Sequence, residues 1–550
     1  MSDITVTSPQ VLDVTATFDG DNITVNATIP SAINVDIEMM QGLPDAPKDG
    51  SQYAREDGQW VEIVTDVDDS LSDTSENAVQ NKTIQPLFLQ ISENDYVITI
   101  SDVDYEWNSE ETEATITVTA SGGLGHLSYR IDGGEWQADN TFIVTTEDTF
   151  AIDVKDEAGQ IESDIVTTTK GSEASIFWDT EASATAIQGD GDISNYLKEI
   201  RLVGMADNGT INKVIATYEN PTIDSGDTDG SQGQVMAEFP KIWYKETINA
   251  SGYLENVDVA DYAKAGFTLH PCFSWGVGRD HVYIGAYEAS YIAGVMASVS
   301  GQPVQTSQDL AEFRAAAALR GEGCHPYGFW NDHLIQLLYY VWSKDRDSQS
   351  VIPGYTEESG WDYAKTRLTG RSNILTEING SVNADKEGVD SDLTNLSASD
   401  AVANRFLFIE NFYGHIWKFI DGCSFDGRIG EKKTAFTTPD PRIFSSDQTS
   451  ILANYDDMDI DLLSVDTTSY IRNVGKAFLP VEGGASSSTF YADLFYSYLT
   501  DAANRNYLRS VLAGGYLTLG VSAGVAARYS FFALSVSNSA FGSRLCYSKY

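Results

Sequence analysis

Residues 514–545 read GGYLTLGVSAGVAARYSFFALSVSNSAFGSRL. Gly514, Gly515, Gly520, Ala523, Gly524 and Gly542 punctuate the stretch. Between them stand Tyr516, Leu517, Leu519, Tyr529, Phe531, Phe532 and Leu534, with neither the period of a strand nor that of a helix. A stretch with this many large apolar groups and no regular period is either an irregular piece of core or a loop-rich surface. Which of the two it is decides how the C-terminal two-thirds of the chain folds and what it offers to solvent.

The rest of the chain bounds that choice. Its 550 residues exceed what one core organises and imply roughly three or four domains. The formal net charge is −47, from 81 acidic against 34 basic side chains. A field of that sign repels phosphate backbones and anionic lipid, which excludes nucleic acid as a partner and membrane insertion as a mode of attachment. No apolar run reaches the length of about 18 residues that a spanning helix needs. The opening MSDITVTSPQ has neither a basic nor an apolar signal region, so export by lysis is the expected route out of a cell. The four cysteines, Cys272, Cys324, Cys423 and Cys546, form no CxxC pair and read as buried thiols, not zinc ligands. The GDGD at residues 189–192 lacks the twelve-residue calcium loop and reads as a turn. No metal and no cofactor are expected.

Four regions separate along the chain. Residues 1–65 alternate polar and apolar side chains and are rich in Val, Ile and Thr, a β-rich N-terminal module with a tight turn at Asp57-Gly58 and Trp60 in the strand after it. Residues 66–90 are an acidic linker, with room for a short helix from Asn77 to Ile84. Residues 91–170 hold five strand-like runs, DYVITISDV, EATITVTA, LSYRI, TFIVT and TFAIDVKD, separated by glycine turns, the pattern of an immunoglobulin-like β-sandwich. Residues 171–550 form an α+β domain of short strands and long loops, among them 350–400, with two helices. One is expected to begin near Thr306, with Asp309 completing a capping box and Gly321 closing it. The other, NDHLIQLLYYVW, places Leu334, Leu337, Leu338 and Val341 on one apolar face.

The motifs of 171–550 carry a resemblance. ENFYGHIWKFIDG at 410–422 resembles the GNVWEW segment of the formylglycine-generating-enzyme-like branch of the C-type lectin fold, with Trp417 in the scaffold position. Gly514-Gly515-Tyr516-Leu517 stands where that branch has GGSW, and Gly542-Ser543-Arg544 where it has GFR. VMAEFPKIWYK, AGFTLHPCF, YIGAYEAS and SQDLAEFRAAAALRG are similar to bacteriophage versions of the fold. The resemblance implies a C-type-lectin-like domain whose last segment is diversified by a retroelement through adenine mutagenesis. That process cannot yield Lys, Glu, Gln, Met or Trp, and 514–545 contains none of them. By register, the implied variable positions are Tyr516, Leu517, Thr518, Leu519, Val521, Tyr529, Phe531, Phe532, Leu534, Val536 and Asn538, with Arg528 adding one charged contact. Gly514, Gly515, Gly524, Gly542, Trp417 and Arg544 are the implied scaffold. The plain alternative is that Phe531 and Phe532 are core.

DAPKDGSQYAREDGQWVEI and LSDTSENAVQNKTI also look like tail- and fibre-protein motifs, and the 91–170 module is similar to adhesin repeats. Together these imply a bacteriophage fibre on the virion surface, at head or tail. Its N-terminal module would meet other virion proteins, it would assemble as a homotrimer, and it would bind a glycan or protein of the host surface. The formylglycine enzymes need a cysteine pair near the C-terminal segment, and only Cys546 lies there, so that chemistry is not expected. A thiol nucleophile also needs a base, and a structural role, not that one, is expected of both His415 and His325. The enzymatic alternative is a glycan depolymerase, which needs two carboxylates facing each other in a cleft.

Overall fold

A computed structural model describes residues 97–108, 112–168, 170–275, 279–383, 401–500 and 506–548, and the backbone of five strands nearer the N-terminus. The chain is β-rich and divides into two compact units, Met1–Lys170 and Gly171–Tyr550.

In the first unit, Val14–Asp19, Asn22–Thr28 and Asn34–Glu38 make an antiparallel sheet in that order. Tyr53–Glu56 pairs with Gln59–Glu62, and the Glu56↔Gln59 register leaves the two residues of a tight hairpin between them. The linker at 66–90 and the short helix expected in it lie outside the described residues. Further on, Thr99–Trp107, Ala114–Ser121 and Thr141–Val144 form one three-stranded sheet, and Ile161–Thr167, Thr149–Lys155 and Ser128–Ile131 a second. The reason is visible in Ala114–Ser121: Ala114, Ile116 and Val118 are buried while Thr115, Thr117 and Thr119 face water. Ile98, Phe142, Ile152, Val154 and Val166 close the same core from both sheets. The five expected runs all contain strands, but the expected set is one short. Ile161–Thr167 buries only Val166, so this edge strand has no alternation to betray it.

The second unit holds a five-stranded, a six-stranded and a nine-stranded sheet. The six-stranded sheet runs Ile211–Thr217, Arg201–Met205, Gln234–Pro240, His281–Glu288, Arg544–Tyr547, Cys324–Pro326, so a strand from the far end of the sequence sits inside it. In the nine-stranded sheet, Trp417–Asp426 is buried at all ten positions and pairs with Leu508–Ala513 and Phe541–Gly542. Its three charges are each matched: Lys418 to Glu288 at 3.1 Å, Asp421 to Arg314 at 2.9 Å, Asp426 to Arg428 at 2.6 Å.

Two helices depart from the sequence expectation. The first is Leu310–Ala318, not a helix from Thr306. Asp309 is its N-cap and Glu312 completes the box, because the Asp309 carboxylate accepts the Glu312 N–H and Glu312 returns the bond. The second is Phe329–Ser343, and it is not one-faced. Every residue from Phe329 to Val341 is buried, as befits a helix apolar on nearly all sides. It packs against Glu173–Phe177 of the five-stranded sheet and Trp417–Asp426 of the nine-stranded one. The GDGD at 189–192 is a correction too: it belongs to the strand Gln188–Asp192, and only Gly191, at φ +77°, has turn-like backbone. All four cysteines are buried and unpaired.

Candidate functional site: an aromatic strip on residues 514–545

The strand Leu508–Ala513 delivers the chain to Gly514 and Gly515, at φ +86° and +83°. That left-handed pair turns the backbone sharply, and a side chain at Gly515 would collide with Ala523. From there the segment is pinned by its own backbone. Leu517 N–H donates to His415 O at 3.0 Å, and Leu517 O accepts from Glu358 N–H at 2.7 Å. Gly520 N–H donates to Thr356 O at 2.8 Å, and Ser510 N–H to Phe532 O at 3.0 Å. Arg528–Tyr529 pairs antiparallel with Leu508–Ala513 and parallel with Leu494–Tyr496. Phe541 N–H donates to Asn538 O at 3.1 Å, and Trp417 N–H to Ala540 O at 3.0 Å. Because none of these bonds involves a side chain, they hold the path whatever stands at the outward positions.

The rings line up on this path. Trp361 lies 5.7 Å from Tyr516, and Tyr516 stacks on Trp417 at 6.2 Å and 24°. Trp417 meets Tyr529 at 5.5 Å, and Tyr529 meets Phe532 at 5.1 Å. Phe531 and Phe532 touch edge to face at 4.9 Å, and Tyr498 closes on Phe531 at 4.9 Å. Trp361, Tyr496, Tyr498, Tyr516, Tyr529, Phe531 and Phe532 are all half-buried, one side on the protein and one on water. Trp417 beneath them is 2% exposed. Thr518, Leu519 and Val536 are half-buried, and Val521 and Asn538 are exposed.

Three expected surface residues are not at the surface. Leu517 and Leu534 are buried among core side chains. Arg528, expected as a charged contact, is 1% exposed: its guanidinium donates to Asp332 at 2.6 Å and Gln336 at 2.7 Å on the buried helix, and to the Val525 and Ala527 carbonyls. Burial pushes the Asp332 carboxyl up, and Arg528 opposes that. A charge three residues before Phe531 therefore ties the segment inward. The remaining scaffold positions fill with backbone and core: a side chain at Gly524 would strike Asp493, one at Gly542 would strike Ile416, and Arg544 donates to the carbonyls of Gly285, Ala286, Glu410 and Asn411.

Below Gly514 lies a sealed charge cluster. His415 Nε2 faces the Arg367 backbone N–H at 2.8 Å, and its Nδ1 faces the Glu288 carboxylate. Glu288 also takes Lys418 at 3.1 Å and Asn411 at 3.2 Å. Burial pushes Glu288 up, but His415 and Lys418 more than offset it and hold its pKa at about 2. Burial likewise brings Lys418 down to about 8. His325 bonds the Pro326 carbonyl and the Ser548 hydroxyl. The histidine that does reach a cysteine is His270, 3.0 Å from Cys272 Sγ, a pair two residues apart that sequence reasoning passed over. It also passed over Trp361, Tyr496 and Tyr498, which complete the strip. Tyr496 ends the strand Leu494–Tyr496, and Tyr498 lies beyond it at φ +51°, so no alternation in the sequence signals the pair. Among the described residues no group of three or more His, Cys, Asp or Glu side chains is placed to hold a metal, and no helix is long and apolar enough to cross a membrane.

No family model matches the sequence, and no curated protein does. Solved structures that this chain resembles include variants of Major Tropism Determinant. The U1 and M1 variants each align at a TM-score of 0.24 with 10% identity, covering 74% of this chain and 82% of theirs. The P3c variant aligns at 0.21 with 9% identity over 83% of this chain and 96% of that one. Scores this low describe a partial likeness of path, and no residue role is transferred through them.

Proposed function

We propose that the chain is a bacteriophage virion fibre protein that captures a host-surface ligand, a glycan or a protein, through the aromatic strip on residues 514–545. One observation carries this reading: seven half-buried rings, Trp361 with Tyr516 and Tyr496 with Tyr498, Tyr529, Phe531 and Phe532, are joined through Trp417 beneath them on a backbone that is hydrogen-bonded without their help. Rings of this kind supply large contact area at low entropic cost, and they are the groups that dominate binding energy at protein surfaces. The contact is non-covalent, made by stacking, apolar burial and the phenolic hydroxyls of Tyr496, Tyr498, Tyr516 and Tyr529. Diversification by a retroelement fits Tyr516, Thr518, Leu519, Val521, Tyr529, Phe531, Phe532, Val536 and Asn538, whose side chains reach the surface in whole or part.

The same reading makes Gly171–Tyr550 a C-type-lectin-like domain. The enclosure of Arg544–Tyr547 within a sheet begun at Arg201–Met205 supports this. The sandwich at 97–168 is then an immunoglobulin-like spacer, supported by first, second and fourth strands in one sheet and third, fifth and sixth in the other. The N-terminal strands attach the fibre to the particle, and a homotrimer on the virion surface multiplies weak contacts into avidity.

The test is adsorption. Purified chain carrying Phe531→Ala with Phe532→Ala is expected to lose binding to host cells that the unaltered chain retains. Undiminished binding would reject the strip as the contact surface. A near-copy of the codons for 514–545, differing at adenines and lying beside a reverse transcriptase gene, is the expected genomic trace of diversification.

A further inference from the structure

A second concavity, lined by none of the strip residues, opens beside Trp243–Ile248, the short helix Pro271–Ser274 and the start of Phe329–Ser343. Its volume is about 640 Å³, inside the span of roughly 300–1,000 Å³ typical of ligand sites. Tyr244 and Trp330 give it an aromatic wall, Glu246, Asp456 and Asp457 bring carboxylates to it, and Lys476 an ammonium.

The wall is rigidly backed. His270 and His333 stack at 5.0 Å and 27°, joined Nε2 to Nδ1 at 2.8 Å. Tyr244 packs on them at 5.3 and 5.5 Å, and Trp330 on His333 at 5.3 Å. His333 Nε2, fully enclosed, has no hydrogen-bond partner and points toward Glu246 Oε1 from 3.7 Å. Trp330 Nε1 is likewise enclosed and unpartnered. Such backing holds the platform in one conformation before any ligand arrives.

We propose that this cleft binds a neutral pyranose. The lining sets three carboxylates beside the ammonium groups of Lys476 and Lys245, so acceptors and donors of both signs face one space. A hydroxyl both donates and accepts, so it satisfies carboxylate and ammonium together, while the apolar face of a sugar ring lies against Tyr244 or Trp330. The inference is independent of the function proposed for the strip, because the two surfaces share no residue.

Saturation-transfer NMR on the full chain tests it, with methyl β-D-glucopyranoside, methyl β-D-galactopyranoside and N-acetylglucosamine as probes and tetramethylammonium and acetate as charged controls. Transfer is expected to at least one pyranoside and to neither ion. Glu246→Gln keeps an acceptor for the Ala477 N–H, which Glu246 Oε1 now takes at 2.8 Å, but removes the charge. It is expected to weaken the sugar about tenfold, the loss of one charge-assisted hydrogen bond. Asp457→Asn, at an exposed position, is the second variant should the first not fold. The proposal is overturned by transfer to no pyranoside, by preferential transfer to either ion, or by sugar binding that the folded cleft variants leave intact.

Discussion

Arg528 and Phe531 stand three residues apart and do opposite things. Arg528 turns inward to a carboxylate on a buried helix; Phe531 turns outward among rings that water reaches. The same contrast holds between the whole strip and the charge cluster under it. Glu288, His415, Lys418 and Arg544 are sealed, directional and mutually dependent, whereas Tyr529, Phe531 and Phe532 touch one another as half-buried rings and Tyr516 stacks on Trp417. The lesson is a division of labour: polar groups specify one path for the segment from within.

Four measurements break or sharpen that contrast. The largest effect is expected from Arg528→Met, which strands the Asp332 carboxylate in the interior. Removing one partner of a buried pair costs about 3–5 kcal/mol, so denaturant midpoints should fall steeply. A change under 1 kcal/mol, by the scale of ordinary surface substitutions, would show that the inner layer is not specifying the path. Next comes acid. The Glu288 carboxyl titrates near 2 in the fold against an ordinary 4.5, so its contribution is complete above about pH 4.5 and drains away as pH falls toward 2. The loss amounts to about 3 kcal/mol, and Glu288→Gln should flatten the near-ultraviolet circular dichroism titration across that window. Smaller again, Phe531→Ala with Phe532→Ala removes two half-buried rings and should cost about 2 kcal/mol, with adsorption falling far more than stability. A loss as large as that of Arg528→Met would place these rings functionally with the core. The smallest effect belongs to Val521→Ser, 52% exposed, expected within about 0.5 kcal/mol of the parent by thermal melting.

Much of this division is legible in sequence, for reasons that differ by element. Ala114–Ser121 announces itself because its two faces meet different solvents. Ile161–Thr167 stays hidden because an edge strand with one buried residue has no such contrast. The buried helix is visible as a helix but not as a fully enclosed one, since Asn331, Asp332, His333 and Gln336 read as a polar face until their partners are known. Arg528 was misread for the same reason: its partner Asp332 lies 196 positions away. The glycine turn at Gly514-Gly515 is readable because only a residue without a side chain fits that backbone. The cleft behind Tyr244 and Trp330 leaves no local trace, because His270 and His333 are brought together by the fold across 63 positions.

The placement of Arg544–Tyr547 between His281–Glu288 and Cys324–Pro326 has a consequence for synthesis. A stop codon or a slipped reading frame anywhere in 514–543 deletes an interior strand and leaves two edges gaping. Such a product has an incomplete sheet and meets proteolysis as an open chain. Translation must run correctly through 514–543 before the molecule can close, so the fold itself audits the reading of that stretch.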